Sequence, residues 1–443
     1  MAIALRNAAI VNEGSTVEGD VRIADGRIDA VGGMVAAGAG DTEIDLAGAW
    51  LLPGMIDDQV HFREPGYEHK ADIATESRAA VAGGITSYME MPNCDPQTVT
   101  GAALQDKHAR AASRSLANYA FYLGATNDNL EEIRRVDRHL ACGVKVFMGA
   151  STGNMLVDDE RTLEGIFAEC PLLIATHCED TPMILANEAE AQARYGDDIP
   201  ITEHPNIRSA EACHRSSSLA VRLARTHGSR LHVLHITTAR ELALFEPGPL
   251  EGKRITAEAC VHHLFFNETH YGALGTDIKC NPAIKTRADQ LAIRQAVNDD
   301  VIDVVATDHA PHTAEEKASP YMQAPSGLPL VQHALLSLVE QVRLGEMTIE
   351  RVAQKTAHAP ATLFDVAERG FIREGYHADL VVIDPSRQTV VDDEPVYAKC
   401  GWTPFRGTTF HARVTQTFVG GRLMFAGGEF RDDTPGEALQ FDR

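Results

Sequence analysis

The stretch Met55-Ile-Asp-Asp-Gln-Val-His61 is strand-like and ends in an imidazole side chain. Four later runs share this form, because each is apolar and carries at or near its end a group that can bind a metal or a proton: residues 144–147 with Lys145, 172–177 with His177, 231–235 with His235 and 304–308 with Asp308. A parallel βα-barrel gathers the carboxyl ends of its strands into one site, so side chains far apart in sequence can meet there. The pattern therefore predicts a metal-dependent hydrolase built on such a barrel.

Residues 52–365 alternate between strand-like and helical patterns. The strand candidates begin at Met55, Ile85, Asn118, Val144, Leu172, Leu231, Ile255 and Val304, and helical patterns lie between them, as at 72–82, 130–140 and 209–226. Eight strands with intervening helices are typical of a (β/α)8 barrel. A doubly wound open sheet is the alternative, but no Gly-x-Gly-x-x-Gly follows the first strand.

The two ends of the chain have β character. Residues 1–51 contain short strand-like runs with the turn pair Asp25-Gly26, and residues 366–443 contain similar runs with the turn pair Gly420-Gly421. The simplest account is one small β-sandwich domain built from residues 1–51 and 366–443, beside a barrel of residues 52–365.

Charge and composition exclude several classes of partner. The formal net charge of −23 would repel nucleic acid and anionic membrane surfaces. No apolar run approaches the roughly 20 residues of a membrane span, and the first residues lack a signal-peptide pattern. The eight cysteines are scattered without a Cys-x-x-Cys, which favours reduced thiols in a cytoplasmic protein. An anionic small-molecule substrate would have to be captured by local cations.

The strand-end residues suit a metal centre. Gln59 and His61 lie two apart, so on a strand both side chains face the same side. Lys145 in an apolar strand is costly unless it is neutralised or paired. Reaction with carbon dioxide would turn it into a carbamate, an anionic ligand able to bridge two cations. Asp308 can bind a metal and can accept a proton from bound water.

Three segments carry a family resemblance: His61-Phe-Arg-Glu-Pro-Gly66, Met91-Pro-Asn93 and Asp308-His-Ala-Pro-His312. Together with the tail motif Gly375-Tyr-His-Ala-Asp379, they make the chain similar, over nearly its whole length, to the dihydroorotases of the amidohydrolase superfamily. The resemblance implies a metal-dependent (β/α)8 barrel. It also implies an enzyme that interconverts dihydroorotate and N-carbamoyl-aspartate in pyrimidine biosynthesis.

The same resemblance implies a role for each residue that matches a family motif. His61 and Asp308 would hold one Zn²⁺, and His177 and His235 a second, with carboxylated Lys145 as the bridge. Asp308 would also be the catalytic acid and base. The substrate would contact Arg63, Asn93, Asn281 and His312. A planar guanidinium such as that of Arg63 suits a carboxylate.

Gln59 departs from the family pattern, which has histidine at this position. An amide oxygen is a weaker zinc ligand than an imidazole. We therefore expect Gln59 to be a weak or absent ligand and the first metal to be held less tightly than the second. At the end of the seventh strand, alternation allows only one of His262 and His263 to face the cavity, and the sequence does not decide which.

Two other functions remain open. The first is another cyclic amidohydrolase, such as a hydantoinase, dihydropyrimidinase or allantoinase. Their substrates lack the ring carboxylate, so Arg63 with His312 favours dihydroorotase. The second is a non-catalytic partner of aspartate transcarbamoylase, although such inactive relatives typically lose several ligands and this chain loses one. A homodimer and an association with aspartate transcarbamoylase are both compatible with the sequence.

Overall fold

A computed structural model describes residues 2–149 and 155–443, and its strands fall into three groups along the chain. The first group comprises β1 (Ile3–Asn12), β2 (Ser15–Ala24), β3 (Arg27–Gly32), β4 (Thr42–Asp45) and β5 (Trp50–Pro53). The second comprises β6 (Met55–Val60), β7 (Ile85–Glu90), β8 (Asn118–Gly124), β9 (Ala141–Phe147), β10 (Ile174–His177), β11 (Leu231–Val233), β12 (Ile255–Cys260) and β13 (Val304–Ala306). The third comprises β14 (Leu380–Asp384), β15 (Thr389–Val390), β16 (Thr409–Phe410), β17 (Arg413–Val419), β18 (Arg422–Ala426) and β19 (Glu429–Phe430).

Helices separate and follow the strands of the second group. The α-helices are α1 (Ile73–Ala82), α2 (Gly101–Ala111), α3 (Leu130–Arg134), α4 (Glu160–Glu169), α5 (Thr181–Tyr195), α6 (His204–Ile207), α7 (Ala210–His227), α8 (Val261–Phe265), α9 (Tyr271–Leu274), α10 (Arg287–Asn298), α11 (Ala314–Lys317), α12 (Ala334–Arg343), α13 (Ile349–Ala353) and α14 (Ala359–Leu363). A π-helical turn, Gln354–His358, joins the last two. Single 3-10 turns lie at Ile201–Glu203, Glu241–Leu244, Glu268–His270, Gly275–Ile278 and Val391–Asp393.

Strands β6 to β13 form the predicted barrel. They pair in sequence order, and every pairing is parallel. The ends of the row meet through a bridge between Val60 and His309, where the His61 N–H donates to the His309 carbonyl at 2.7 Å. This order confirms the (β/α)8 prediction, since a doubly wound sheet would not pair all its strands in sequence order.

Both ends of the chain contribute to one mixed sheet, in the order β19-β18-β17-β14-β5-β1-β2-β3, with β4 beside β1. Neighbouring residues of β5 show its two faces. Leu51 packs into a core within the β domain, whereas Leu52 packs into the larger cluster shared with the barrel. Both predicted turns are present, and Asp25 and Gly26 have the positive φ values that two-residue hairpin turns need. The prediction of a β domain formed by both termini is confirmed.

The last residues of the chain cover the amino-terminal end of the barrel. Ala438 pairs with Tyr119 at the start of β8. Leu439 and Phe441 join a buried apolar cluster that includes Ile56 and Tyr122 from barrel strands. The opposite end, where the strands finish, is therefore the open one.

Helix α3 is shorter than the predicted 130–140. Beyond Arg134 the chain turns around Asp137, whose side chain accepts the N–H of His139 at 2.9 Å and whose carbonyl accepts the N–H of Leu140. An aspartate that bonds its own downstream backbone competes with helix. None of the helices in the described part of the chain combines the length and apolarity needed to cross a bilayer.

Candidate active site

The predicted side chains meet at the carboxyl-terminal end of the barrel. They surround a cavity with about 390 Å³ of empty space, whose lining includes Gln59, His61, Arg63, Asn93, Lys145, His177, His235, Asn281 and Asp308. The remaining predicted residue, His312, lies directly behind the lining and contacts Arg63 at 3.0 Å. The barrel thus brings together strand ends that are far apart in sequence.

His177 and His235 form one half of the cavity. His177 Nδ1 lies 3.1 Å from His235 Nε2, and His177 Nε2 lies 3.0 Å from Glu179 Oε2. Although burial opposes it, Arg208 and His177 hold the pKa of Glu179 at about 2, so this carboxylate accepts the Nε2 proton. The Nδ1 lone pair of His177 is then directed at His235. Two nitrogens bound to one zinc ion at about 2.0–2.1 Å have a similar separation, so this half suits a cation.

Lys145 lies on β9 and is buried between the two halves. Burial lowers the pKa of its amine to about 8, although Asp308 and Glu258 act in the opposite direction. Among the described residues, no carboxylate lies within ion-pair distance of its Nζ, which lies over the ring of Phe147, 4.7 Å from the centroid. A substantial neutral fraction near neutral pH makes this amine a nucleophile toward carbon dioxide.

Gln59, His61 and Asp308 form the other half. His61 Nδ1 donates to Asn93 Oδ1 at 2.7 Å, so its Nε2 lone pair faces the cavity, 3.2 Å from Asp308 Oδ1. The Gln59 amide nitrogen donates to the same Oδ1 at 3.0 Å, and its oxygen faces Cys260 Sγ at 3.8 Å. In this arrangement Gln59 serves Asp308 as a hydrogen-bond donor, and its oxygen is turned away from His61.

A second buried cluster lies beneath the cavity, and the sequence analysis missed it. A bulge in β6 between Asp57 and Val60 brings Asp58 into the barrel, where its Oδ2 is 3.3 Å from His232 Nε2. Glu258 Oε2 is 3.6 Å from the same nitrogen, and the two carboxylates outweigh burial and raise the pKa of His232 to about 9. Glu258 Oε1 also accepts the N–H of His235, so the cluster supports the cavity from below. The sequence signal for this cluster was the presence of three ionisable residues, Asp58, His232 and Glu258, within apolar strands.

Arg63 and His312 form a cationic corner of the cavity. The Arg63 Nε donates to the Pro311 carbonyl at 3.0 Å, and its Nη2 lies 3.0 Å from His312 Nε2. No acidic side chain in residues 2–149 and 155–443 forms an ion pair with this guanidinium, and burial lowers its pKa to about 10. The other ring nitrogen of His312, Nδ1, lies 3.1 Å from Lys70 Nζ. A neutral imidazole has a single acceptor nitrogen, so His312 can accept a hydrogen bond from Arg63 or from Lys70 but not from both. Nearby, Asn281 Oδ1 is buried and has no hydrogen-bond partner in residues 2–149 and 155–443.

The prediction for His262 and His263 was wrong. Strand β12 ends at Cys260, and both histidines belong to the short helix α8. Strand alternation therefore does not apply to them, and neither lines the cavity. His263 Nε2 instead lies 3.1 Å from the Pro282 carbonyl.

Comparison with known proteins gives similarities over nearly the whole chain. Residues 50–424 match the model of the amidohydrolase family. A dihydroorotase of Halobacterium salinarum is 36% identical over 413 residues, covering 92% of this chain and 93% of that protein. An allantoinase of Bacillus velezensis is 31% identical over 432 residues, covering 96% of this chain and 94% of that protein. Among solved structures, L-hydantoinase (dihydropyrimidinase) from Arthrobacter aurescens has a TM-score of 0.93 at 25% identity, covering 99% of each chain.

Proposed function

Because the chain belongs to the amidohydrolase family, as a cyclic amide hydrolase, we propose that it is a dihydroorotase. In this proposal it interconverts (S)-dihydroorotate and N-carbamoyl-L-aspartate in the cytoplasm, as a step of pyrimidine biosynthesis. The observation that carries the proposal is the cationic corner at Arg63. The similarity to the dihydroorotase of Halobacterium salinarum supports it, but the allantoinase and hydantoinase similarities show that family membership alone does not select a substrate.

Arg63 favours a substrate with a carboxylate. Its guanidinium is 4% exposed and has no acidic partner among the described residues. A buried charge without a counter-ion is costly, and a bound carboxylate would remove that cost through paired hydrogen bonds. The net charge of −23 would repel such a substrate at long range, so recognition must be local. Asn281 Oδ1, which is buried and lacks a hydrogen-bond partner among the described residues, suits an N–H of the substrate ring.

The donor set of the cavity suits two zinc-type ions. His61 and Asp308 would hold one, His177 and His235 the other, and a carbamate on Lys145 would lie between them. The Nε2 lone pair of His61 faces the cavity, the Nδ1 lone pair of His177 faces His235 Nε2, and Asn93 and Glu179 orient these two rings. When bound, such ions activate water and polarise the amide carbonyl.

Asp308 is the proposed catalytic acid and base. Its Oδ1 accepts the Gln59 amide proton, which fixes the carboxylate in the cavity and leaves Oδ2 for proton exchange. In hydrolysis Asp308 takes the proton of the attacking water and delivers it to the departing ring nitrogen. In ring closure the same carboxylate works in reverse. Arg63 would hold the substrate carboxylate in the same cavity that Lys145 and Asp308 line.

A substrate panel tests this function. The protein, loaded with zinc in the presence of bicarbonate, would be assayed with dihydroorotate, N-carbamoyl-aspartate, allantoin and hydantoin. We expect kcat/KM for dihydroorotate to exceed that for the uncharged rings by about 10²-fold or more, because those rings leave Arg63 unpaired. Faster turnover of allantoin would favour the second candidate, an allantoinase, which the 31% identity over 96% of the chain supports. A metal-loaded protein without turnover on any of these would favour a non-catalytic partner of aspartate transcarbamoylase.

A further inference from the structure

Three metal-binding side chains lie together outside the cavity, at the junction of β12 and α8. They are Cys260, His262 and His263, all buried, and their potential ligand atoms lie within 4.8 Å of one another. None of the three lines the cavity that holds the proposed active site. The proposed reaction uses none of these three side chains.

His262 is the strongest observation. Its side chain is fully buried, and among the described residues neither ring nitrogen has a hydrogen-bond partner of normal geometry, although the Thr307 backbone lies nearby. Buried polar groups in folded proteins are nearly always paired, so an imidazole left alone on both sides points to a missing ligand.

His263 is oriented as a metal-binding histidine commonly is. Its Nε2 lies 3.1 Å from the Pro282 carbonyl, which can only accept, so the ring proton is on Nε2. Its Nδ1 is buried, has no hydrogen-bond partner in the part of the chain that the structure describes, and therefore carries the free lone pair. Ligating histidines typically donate the opposite N–H to a carbonyl in this way, which fixes the tautomer.

Cys260 supplies the third donor. Among the described side chains, its S–H can donate to Glu258 Oε1 at 3.4 Å or to Gln59 Oε1 at 3.8 Å, and a bound cation would take the place of that proton. A second thiol, Cys280, lies 3.8 Å from His263, but on the protonated Nε2 side, and it contacts the Pro282 carbonyl. The geometry therefore selects Cys260 and leaves Cys280 out of the donor set.

We propose that Cys260, His262 and His263 bind one thiophilic d¹⁰ cation, of the zinc type, at a site separate from the catalytic cavity. One thiolate and two imidazoles are the donors that such cations prefer over magnesium or calcium. The cation binds lone pairs of two imidazoles that otherwise lack a partner among the described residues, and it links the end of β12 to α8. Through Cys260 and Gln59 the site also neighbours Asp308, so its occupancy affects the support of that carboxylate.

Cobalt(II) provides a probe that distinguishes this site from the cavity. The ligands proposed in the cavity contain no sulfur, so a sulfur-to-cobalt charge-transfer band reports cysteine ligation alone. Metal-free full-length protein titrated with Co²⁺ should develop this band, saturating at one equivalent per chain. Cobalt binding without any charge-transfer band would overturn the proposal, whatever the enzymatic activity of the protein proves to be.

Matched variants locate the site. Cys260→Ser and His262→Asn should each abolish the band and lose one equivalent of bound zinc. Cys280→Ser and Cys178→Ser, which change buried thiols near the same strand ends, should keep both. A band that persists in Cys260→Ser, or that disappears in Cys280→Ser, would contradict the assigned donor set.

A measurement on the unaltered protein keeps the proposal testable if a variant fails to fold. Zinc X-ray absorption of the zinc-loaded chain should show a sulfur shell at about 2.3 Å, beside nitrogen and oxygen near 2.0–2.1 Å. Zinc ligated by nitrogen and oxygen alone would refute the site, and the substrate panel described above would remain an independent test of the proposed function.

Discussion

The two halves of the cavity differ in how their ligand atoms are already occupied. In the His177 and His235 half, two ring nitrogens face each other at 3.1 Å, and Glu179 sits behind. In the His61 and Asp308 half, the Asp308 Oδ1 already accepts the Gln59 amide proton at 3.0 Å. A cation entering the His177 and His235 half meets two imidazole nitrogens and replaces the hydrogen bond between them. A cation entering the His61 and Asp308 half meets one imidazole nitrogen and a carboxylate oxygen that already accepts the Gln59 amide proton. Similar residues at similar strand ends can therefore give metal sites of unequal affinity.

Replacing the residue between the halves should have the largest effect. Lys145→Ala removes the proposed bridge, so metal and activity should be lost together. We expect kcat/KM to fall by more than about 10³-fold, because changes to groups that merely orient ligands already cost about 10–100-fold. Metal analysis and turnover of the same sample provide the measurement. Partial rescue by acetate or propionate would support a bridging carboxylate, and full metal content in the variant would refute the bridge.

Replacing Arg63 in the cationic corner should weaken substrate binding without changing the metal content. Arg63→Met leaves the substrate carboxylate unpaired. We expect kcat/KM for dihydroorotate to fall by an amount equivalent to about 2–4 kcal/mol of transition-state stabilisation. Metal content should be unchanged. Arg63→Lys, which keeps the charge but not the planar fork, should be intermediate. Normal kinetics in Arg63→Met would make this arginine structural and would weaken the assignment of a carboxylate substrate.

Without metals, Lys145 should destabilise the fold in a pH-dependent way. Burial lowers its pKa from the ordinary lysine value of 10.5 to about 8, so below pH 8 the folded state carries the full cost of a buried charge. That cost disappears as pH rises toward 10.5. Metal-free Lys145→Met should therefore be more stable than the unaltered protein at pH 7, by up to about 3 kcal/mol, with the difference vanishing above pH 10.5. Urea unfolding with chelator at several pH values measures it, and a difference independent of pH would contradict the explanation.

The residues that orient the histidines offer a matched pair of variants, one for each half. Glu179→Gln should weaken the ion at His177 and His235 by about 10–100-fold, because the ring loses its anionic partner. Asn93→Ala should instead loosen the ion at His61. Competition titrations with a chromophoric chelator follow both ions. If the two variants affected the same ion, the division of the cavity into halves would be wrong.

The smallest expected effect concerns Gln59 itself. Dialysis against a chelator should first remove the ion near His61 and Asp308. Gln59→His should tighten that ion by roughly tenfold, about 1.4 kcal/mol, since imidazole is a stronger donor than an amide. Activity need not rise, because Asp308 loses the Gln59 hydrogen bond. Two equally tight sites in the unaltered protein would refute the inequality.

The sequence was sufficient to predict much of the fold and most of the candidate site. The barrel strands are nearly continuous apolar runs, and a side chain at the end of such a strand is positioned by the barrel itself. Residues such as His177 and Asp308 therefore reach the cavity whatever the details of their surroundings. The two-residue spacing of Gln59 and His61 was informative for the same reason, since both line the cavity.

The remaining features depend on local breaks in regularity. The bulge in β6 brings Asp58 inside, and strand periodicity alone does not reveal a bulge. Because β12 ends before His262 and His263 and the chain continues into helix α8, strand alternation could not decide which of the two faces the cavity. The link from Glu179 to Arg208 joins different elements, so it becomes visible only when the chain is folded.

The pairing of β5 with β14 has a consequence for how the chain folds. Leu51 and Val382 are neighbours across that pairing, although the whole barrel lies between them in sequence. During synthesis β5 must wait, with one edge unpaired, until the barrel has been made and β14 has emerged. Such distant contacts form slowly, so the sheet is expected to be the last part of the molecule to close and the part most exposed to misassembly.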